Sequence, residues 1–134
     1  MRVSIVTVCF NSEKTIADTL RSVSEQTYWD IEHVIIDGAS TDMTANIVSE
    51  YPHVKKFISE QDNGLYDAMN KGVRECSGEV VMTLNSDDFF SCSAVVERYV
   101  EKFQNSNADA VYSDLDYVSE GLSLIHISEP TRPY

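Results

Sequence analysis

Apolar runs and amphipathic segments alternate along this chain of 134 residues. Four short apolar runs predict β-strands over residues 3–10, 31–36, 54–59 and 80–84. The segments between them carry apolar residues three and four positions apart, which is the spacing of an amphipathic helix. Strands that alternate with helices indicate an α/β fold, with a mainly parallel sheet covered by helices on both faces.

Polar residues precede the predicted helices and are candidate N-caps. In chain order these candidates are Asn11 or Ser12, Asp42, and Ser91 or Ser93. The second helix is expected to end at Pro52. The third is expected over residues 65–76, after a loop at 62–64, and a fifth strand is expected at the start of residues 109–118.

The last segment, LSLIHISEPTRPY at residues 122–134, breaks this alternation because Pro130 and Pro133 lie close to its end. We interpret it as a non-native tail, since it resembles a translated sequencing adapter. A natural strand followed by a loose tail is the alternative. The expected organisation is one C-terminally truncated domain over residues 1–121, followed by the tail.

Composition narrows the possible partners. The formal net charge is −12, from 22 acidic and 10 basic side chains, which argues against binding to nucleic acid or to an anionic membrane face. No segment is apolar for long enough to be a transmembrane span. Three scattered cysteines without a C-x-x-C pair predict reduced thiols rather than a disulfide framework. We therefore expect a cytoplasmic protein, with the inner face of the membrane as an alternative location.

Polar side chains follow all four predicted strands. They are Asn11 after the first, Asp37 and Ser40 after the second, Glu60, Asp62 and Asn63 after the third, and Asn85, Asp87 and Asp88 after the fourth. Taken singly, each has a structural explanation, such as a turn or a helix cap. Ligands of open α/β sheets bind at the carboxyl ends of the strands, so the joint arrival of these residues at one edge predicts a binding site.

Asp87 and Asp88 are adjacent carboxylates with no basic residue between positions 79 and 96. Like charges this close repel each other, and a divalent cation would relieve the repulsion. The chain has neither G-x-G-x-x-G nor G-x-x-x-x-G-K-S/T, so a bound diphosphate would need another counter-charge. Mn²⁺ or Mg²⁺ meets both needs, because these ions prefer carboxylate and phosphate oxygens.

Four segments, read in order, resemble the motifs of family 2 glycosyltransferases, which are inverting enzymes of the GT-A fold. The family's opening strand and helix are similar to SIVTVCFNSEKTIADTLRSVSEQTY, and its D-D/G-x-S-x-D-x-T segment is similar to VIIDGASTDMT. Its N-x-G-x-x-x-A-x-N-x-G segment resembles SEQDNGLYDAMNKGV, above all in the subgroup of bacterial polysaccharide biosynthesis that reads D-x-G-I-Y-D-A-M-N-K-G. Its metal-binding D-x-D-type motif falls at LNSDD. The resemblance covers residues 3–118.

The resemblance implies a Rossmann-like GT-A sheet and a glycosyltransferase. It implies a nucleoside-diphosphate sugar as donor, with a UDP-sugar expected, and a saccharide or lipid-linked acceptor. The implied nucleotide-binding residues are Val8, Phe10, Glu13, Asp37, Asn63, Lys71 and Asp87, and the implied metal ligands are Asp87 and Asp88. In the family, the aspartate at the position of Asp37 typically contacts the nucleotide base.

The chain departs from the family pattern at three points. Met69 stands where many relatives carry arginine, so Lys71 is expected to face the diphosphate, and Asn85 replaces the first aspartate of the D-x-D-type motif. The pattern ends near Gly121, before the acceptor region that carries the general base. We therefore expect donor binding without sugar transfer. A noncatalytic nucleotide-sugar-binding module and a nucleotidyltransferase of related fold are the alternatives.

Overall fold

The computed structural model describes residues 1–106 and, as backbone strands alone, Leu115–Val118 and Leu124–Ile127. The elements are β1 (Val3–Cys9), α1 (Ile16–Ser24), β2 (Ile31–Asp37), α2 (Thr44–Ser49), β3 (Val54–Ser59), α3 (Leu65–Glu75), β4 (Val80–Thr83), α4 (Val95–Ser106), β5 (Leu115–Val118) and β6 (Leu124–Ile127). The predicted alternation is confirmed, and the first four strands end within one residue of their predicted bounds.

The first four strands form a parallel sheet in the order β3-β2-β1-β4. Because β1 pairs with β2 on one side and with β4 on the other, the strand order reverses at β1. This reversal is the switch point at which open α/β sheets bind their ligands. The fold therefore places the predicted site at the carboxyl ends of β1 and β4.

Residues 1–97 form one compact unit, and residues 98–134 form a second. In the second unit, β5 and β6 pair as antiparallel strands. A strand is present at Leu115–Val118, whereas residues 109–114, where the fifth strand was predicted to start, lie outside the described residues. Strand β6 falls within the predicted tail, and the origin of residues 122–134 stays a prediction.

Two apolar clusters cover opposite faces of the parallel sheet. On one face, Cys9 and Ile35 pack with Ile16 and Leu20 of α1 and with Val48 of α2. On the other face, α3 packs through Ala68 against Val34 and Ile36. These neighbouring strand residues alternate between the faces because successive side chains of a strand point to opposite sides. Helices on both faces are thus confirmed.

Gly72 lets α3 lie close to the sheet. A Cβ atom at this position would stand 2.4 Å from Cγ1 of Val6, which is well inside van der Waals contact. A larger residue would force the helix away from β1, and overpacking of this kind typically costs about 1–3 kcal/mol. Packing therefore accounts for the second glycine of the DNGLYDAMNKG segment.

The first predicted cap is wrong. Helix α1 begins at Ile16, and its N-cap is Thr15, without a side-chain cap hydrogen bond. Asn11 and Ser12 instead lie in a loop, where Asn11 has a φ of 47°. Neither side chain caps the helix because each forms hydrogen bonds with a neighbouring loop instead.

The other predicted caps have mixed outcomes. Asp42 is confirmed, since its Oδ1 accepts a hydrogen bond of 2.9 Å from the Thr44 backbone N–H at the start of α2. Helix α2 ends before Pro52, as predicted. In the first turn of α4, the Val96 backbone N–H donates to Oε1 of Gln26 at 3.0 Å, rather than to Ser91 or Ser93.

Among the described residues, no helix combines the length and apolar character needed to cross a bilayer.

The buried His33 of β2 pairs with the half-buried His53. Nε2 of His33 lies 2.8 Å from Oγ1 of Thr7, and its Nδ1 lies 3.1 Å from Nε2 of His53. The two rings stack with their centroids 5.3 Å apart. Burial, and then the neighbouring His53, lower the pKa of His33 to about 3. The folded chain therefore keeps this imidazole neutral.

We expect the histidine pair to make the fold sensitive to mild acid. The unfolded chain takes up a proton at His33 near its ordinary pKa of 6.5, whereas the folded chain resists it. Stability from this group is thus fully present above pH 6.5 and falls as the pH drops below that value. The loss is about 2 kcal/mol at pH 5. Urea unfolding at pH 7.5 and pH 5 would measure it, and an equal loss in His33→Gln would place the sensitivity elsewhere.

Candidate functional site

An open cleft of about 950 Å³ lies at the carboxyl ends of β1 and β4, where the strand order reverses. Residues 8–15 and 85–87 line it, together with Asp42, Asp62 and the start of α3 at residues 64–65. Its volume falls in the range of small-molecule and cofactor sites, about 300–1,000 Å³. The sheet thus provides a ligand-sized cleft at the predicted edge.

The cleft is strongly acidic. Carboxylates of Glu13, Asp42, Asp62 and Asp87 line it, against a single ammonium group from Lys14. An anionic ligand such as a diphosphate would be repelled by these carboxylates in the absence of a cation. The charge pattern therefore favours a ligand that carries a cation with it.

Thr19 fixes the loop that carries Asp87 and Asp88. The Thr19 side chain is fully buried on α1, and its Oγ1 lies 2.5 Å from the carbonyl oxygen of Asp88 and 3.1 Å from that of Ser86. The Asp88 backbone N–H donates to the Asn85 carbonyl at 3.0 Å and closes the turn. The loop is therefore held from beneath by one hydroxyl group.

The same loop is joined to the end of β1. Oγ of Ser12 lies 2.9 Å from Oγ of Ser86, and the Ser12 backbone N–H donates to Oγ1 of Thr44 at 2.8 Å. These contacts connect the segments that follow β1, β2 and β4. The two sides of the cleft are thus fixed relative to each other.

Asp87 and Asp88 are adjacent carboxylates on the loop that follows β4, and a divalent cation at this position stays a prediction. Burial raises the pKa of Asp88, and the neighbouring Asp87 carboxylate raises it further. Among the described residues, no group of three or more His, Cys, Asp or Glu side chains could hold a metal ion. A cation at Asp87 and Asp88 would therefore need further oxygen ligands, and phosphate and water oxygens commonly complete Mg²⁺ sites.

Asp37 lies at the end of β2 as predicted, but its carboxylate is fully buried and satisfied within the protein. Its Oδ2 accepts hydrogen bonds from the Ser40 backbone N–H at 3.0 Å and from the Ser59 hydroxyl at 2.8 Å. Its Oδ1 accepts from the hydroxyl of Ser40 and from the thiol of Cys9. Its direct contact with a base stays a prediction.

The turn after β2 is tied to the segment after β1. The Asn11 backbone N–H donates to Oγ of Ser40, and Oδ1 of Asn11 accepts from the Thr41 backbone N–H, both at 2.8 Å. Glu13 and Asp42 add a second connection. Oε2 of Glu13 accepts from the Met43 backbone N–H at 3.1 Å, and the Glu13 backbone N–H donates to Oδ2 of Asp42 at 3.2 Å.

Lys71 has carboxylate partners of its own. Its Nζ lies 3.1 Å from Oε1 of Glu60 and 3.6 Å from Oδ2 of Asp67, and it donates to the Gln61 carbonyl at 3.2 Å. It is not among the residues that line the cleft. The predicted contact between Lys71 and a diphosphate would require these ion pairs to rearrange, and it stays a prediction.

The structure brings only some of the predicted site residues to the cleft. Val8, Phe10, Glu13 and Asp87 line it. Asp88 follows Asp87 on the same loop and is half-buried. The exposed Asn63 precedes Gly64, and its backbone N–H donates to Oδ2 of Asp67 at 3.0 Å. The binding roles of all these residues remain predictions.

Sequence reasoning missed Thr19 and Ser12 as supports of the acidic loop. The signal for Thr19 was present, because it is the polar member of a helical stripe that otherwise reads Ile16, Leu20 and Val23. A polar residue at a buried helical position must find a hydrogen-bond partner. Ser12 carried no comparable signal, since its contact with Ser86 joins residues that are distant in sequence.

Comparison with known proteins identifies the class to which this acidic cleft and α/β sheet belong. The family described as Glycosyl transferase family 2 matches residues 4–133. The chain belongs to this family, and the predicted GT-A fold is confirmed by the solved structures that it resembles.

One relative and two solved structures illustrate the likeness. An uncharacterized glycosyltransferase of Mycobacterium tuberculosis, Rv1514c, is 41% identical over 101 residues, which cover 74% of this chain and 38% of the relative. Staphylococcus aureus TarS 1–349 in complex with UDP-GlcNAc has a TM-score of 0.76 at 26% identity, over 81% of this chain and 33% of that one. Mannosyltransferase PcManGT of Pyrobaculum calidifontis, in complex with GDP-Man and Mn²⁺, has a TM-score of 0.78 at 23% identity, over 87% and 36%. The chain thus spans little more than a third of their lengths.

We expect Thr19→Val to weaken any ligand binding that depends on Asp87 and Asp88. Valine keeps the shape of the buried side chain but leaves the Asp88 carbonyl without its hydroxyl donor. Loss of such a partner typically costs about 1–3 kcal/mol. Thermal unfolding and Mn²⁺ titration would measure both effects. Thr19→Ser is the matched control, because it retains the hydroxyl, and equal behaviour of the two variants would contradict the role given to Thr19.

Proposed function

We propose that this chain forms the donor-binding part of a glycosyltransferase that moves a sugar from a UDP-sugar to a saccharide or lipid-linked acceptor. The observation that carries the proposal is the acidic cleft at the strand-order reversal, with Asp87 in its wall. Membership of glycosyl transferase family 2 supports sugar transfer in general. The UDP-GlcNAc complex of TarS supports a uridine donor.

The proposal assigns Asp87 and Asp88 to Mn²⁺ or Mg²⁺. Their negative charges repel an anionic donor in the absence of a cation. Among the described residues that line the cleft, Lys14 alone is positively charged. A bound divalent ion would stabilise negative charge on the departing nucleoside diphosphate.

The walls of the cleft suggest how the donor is oriented. Phe10 offers an exposed aromatic ring at the end of β1, and Val8 lies beside the same cleft. A base placed against the ring would leave the diphosphate free to reach the acidic loop across the cleft. The short side chains of Ser12 and Ser86 join the two sides between these positions.

We infer that Glu13, Asp42 and Asp87 are not the general base for the acceptor hydroxyl. Glu13 and Asp42 accept hydrogen bonds from backbone N–H groups that hold the turn after β2. Asp87 is assigned to the metal. A positioned base typically contributes about 10²–10⁴-fold to the rate. Within this proposal, residues 1–106 bind the donor and do not perform the transfer by themselves.

We expect Asp88→Asn to reduce the affinity for UDP in saturating Mn²⁺ by at least about tenfold, because a charged metal ligand is lost. The same change should not lower the stability of the metal-free chain. The pKa of Asp88 is raised in the folded state, so its ionised form opposes folding at neutral pH, and asparagine removes that opposition. Calorimetric titration and thermal melting would measure the two effects.

Asp18→Asn is a suitable control for this experiment. Asp18 is an exposed carboxylate on α1 that pairs with Arg21, and it does not line the acidic cleft. It should bind UDP like the wild type. Equal UDP affinity of wild type and Asp88→Asn in saturating Mn²⁺ would refute the metal assignment. Release of nucleoside diphosphate from UDP-sugar that depends on an added acceptor pool would show that the chain transfers sugar unaided.

A further inference from the structure

The acidic cleft opens where β1 and β4 separate. Their ladder ends where Val6 pairs with Thr83, and the Leu84 backbone N–H donates to the Val6 carbonyl at 2.9 Å. Within the described part of the chain, no backbone hydrogen bond joins the two segments beyond this point. Residues 8–15 then line one side of the cleft and residues 85–87 the other.

A hydrogen bond between two hydroxyl groups joins the two sides again. Oγ of Ser12 lies 2.9 Å from Oγ of Ser86, which directly precedes Asp87. The Phe10 backbone N–H donates to the same Oγ of Ser12 at 3.3 Å, and the Phe10 carbonyl oxygen also lies 3.3 Å from it. The two hydroxyls therefore connect the backbone beneath the exposed ring of Phe10 with the loop that carries the adjacent carboxylates.

Each side of the cleft has supports that do not depend on this bond. In the acidic loop, Oγ1 of Thr19 lies within hydrogen-bond distance of the Ser86 and Asp88 carbonyl oxygens. The Asp88 backbone N–H donates to the Asn85 carbonyl at 3.0 Å. On the other side, Asn11 bonds to the turn after β2 through its backbone N–H and its Oδ1. What the bond between the hydroxyls adds is the position of one side relative to the other.

We propose that Ser12 and Ser86 are positioning residues, whose hydroxyls set the separation between the nucleoside side and the metal side of the cleft. This inference rests on the proposed nucleotide-sugar function. A nucleoside alone would contact the side at Phe10, and a metal ion alone would contact Asp87 and Asp88, so neither gains from a fixed separation. UDP with Mn²⁺ spans both sides, and it binds more tightly when they are already held at the right distance.

Ser86→Ala tests this proposal, because it removes the bond between the two sides and leaves the contacts of Ser12 with Phe10 in place. We expect its affinity for UDP in saturating Mn²⁺ to fall by about 3- to 10-fold, which corresponds to the loss of one hydrogen bond. Its affinities for uridine without Mn²⁺ and for Mn²⁺ without nucleotide should stay within about twofold of the wild type. Calorimetry would measure UDP and Mn²⁺ binding, and nuclear magnetic resonance titration would measure uridine binding.

A direct contact between the Ser86 hydroxyl and the diphosphate would produce the same losses, and the Ser12→Ala background separates the two explanations. The bond is already absent in that background, so positioning predicts no further effect of Ser86→Ala on UDP affinity. A direct contact predicts the same loss in both backgrounds. Ser24→Ala is the matched control and should bind UDP like the wild type, because this exposed hydroxyl donates to the Arg21 carbonyl and does not line the cleft.

Three results would overturn the positioning role and leave the proposed function standing. The first is an unchanged UDP affinity in Ser86→Ala, and the second is an equal loss in both backgrounds. The third is a joint loss of uridine, Mn²⁺ and UDP affinity, which would assign the bond to the stability of the cleft as a whole. Absence of Mn²⁺-dependent UDP binding by the wild type would instead overturn both the proposed function and this inference.

Discussion

The buried carboxylate of Asp37 ties together the carboxyl ends of three neighbouring strands. It accepts hydrogen bonds from Cys9 of β1 at 3.5 Å, from Ser59 of β3 at 2.8 Å, and from the Ser40 backbone N–H of the following turn at 3.0 Å. Burial raises the pKa of Cys9, and the Asp37 charge raises it further, so the thiol stays neutral and can donate. Removing these donors would leave a buried charge unpaired, which is strongly destabilising.

This polar edge also contains unfavourable backbone conformations that its hydrogen bonds offset. Asn11 and Ala39 have φ angles of 47° and 62°, in a region that costs non-glycine residues about 1–3 kcal/mol. The Asn11 backbone N–H donates to the hydroxyl of Ser40, which directly follows Ala39. The edge is thus held by side chain to backbone bonds between loops, while the apolar clusters hold the strands and helices behind it.

The sequence predicted the fold more completely than the site, for a physical reason. Strands β1 and β2 are buried almost throughout, so their apolar runs are visible in sequence and their bounds were predicted within one residue. The start of α1 was predicted too early because Asn11 and Ser12 look like N-caps, yet their side chains bond to loops that are distant in sequence. The sequence did not show the ion pair of Lys71 with Glu60 on the preceding loop, whereas its pair with Asp67, four residues earlier on α3, follows helical spacing. Contacts between distant loops are not encoded in local periodicity.

Hydrogen-bond saturation distinguishes the carboxylates at this edge better than their positions in sequence motifs do. Asp37 ends a strand in a recognisable motif, and both of its oxygens accept hydrogen bonds from the protein. Within the described part of the chain, one oxygen of Asp62 accepts no hydrogen bond, and Asp88 has a raised pKa because burial and Asp87 oppose its ionisation. A carboxylate held near a cleft without enough internal donors gains the most from an external partner. Within the proposed function, the external partner of the adjacent Asp87 and Asp88, whose charges repel, is a divalent cation.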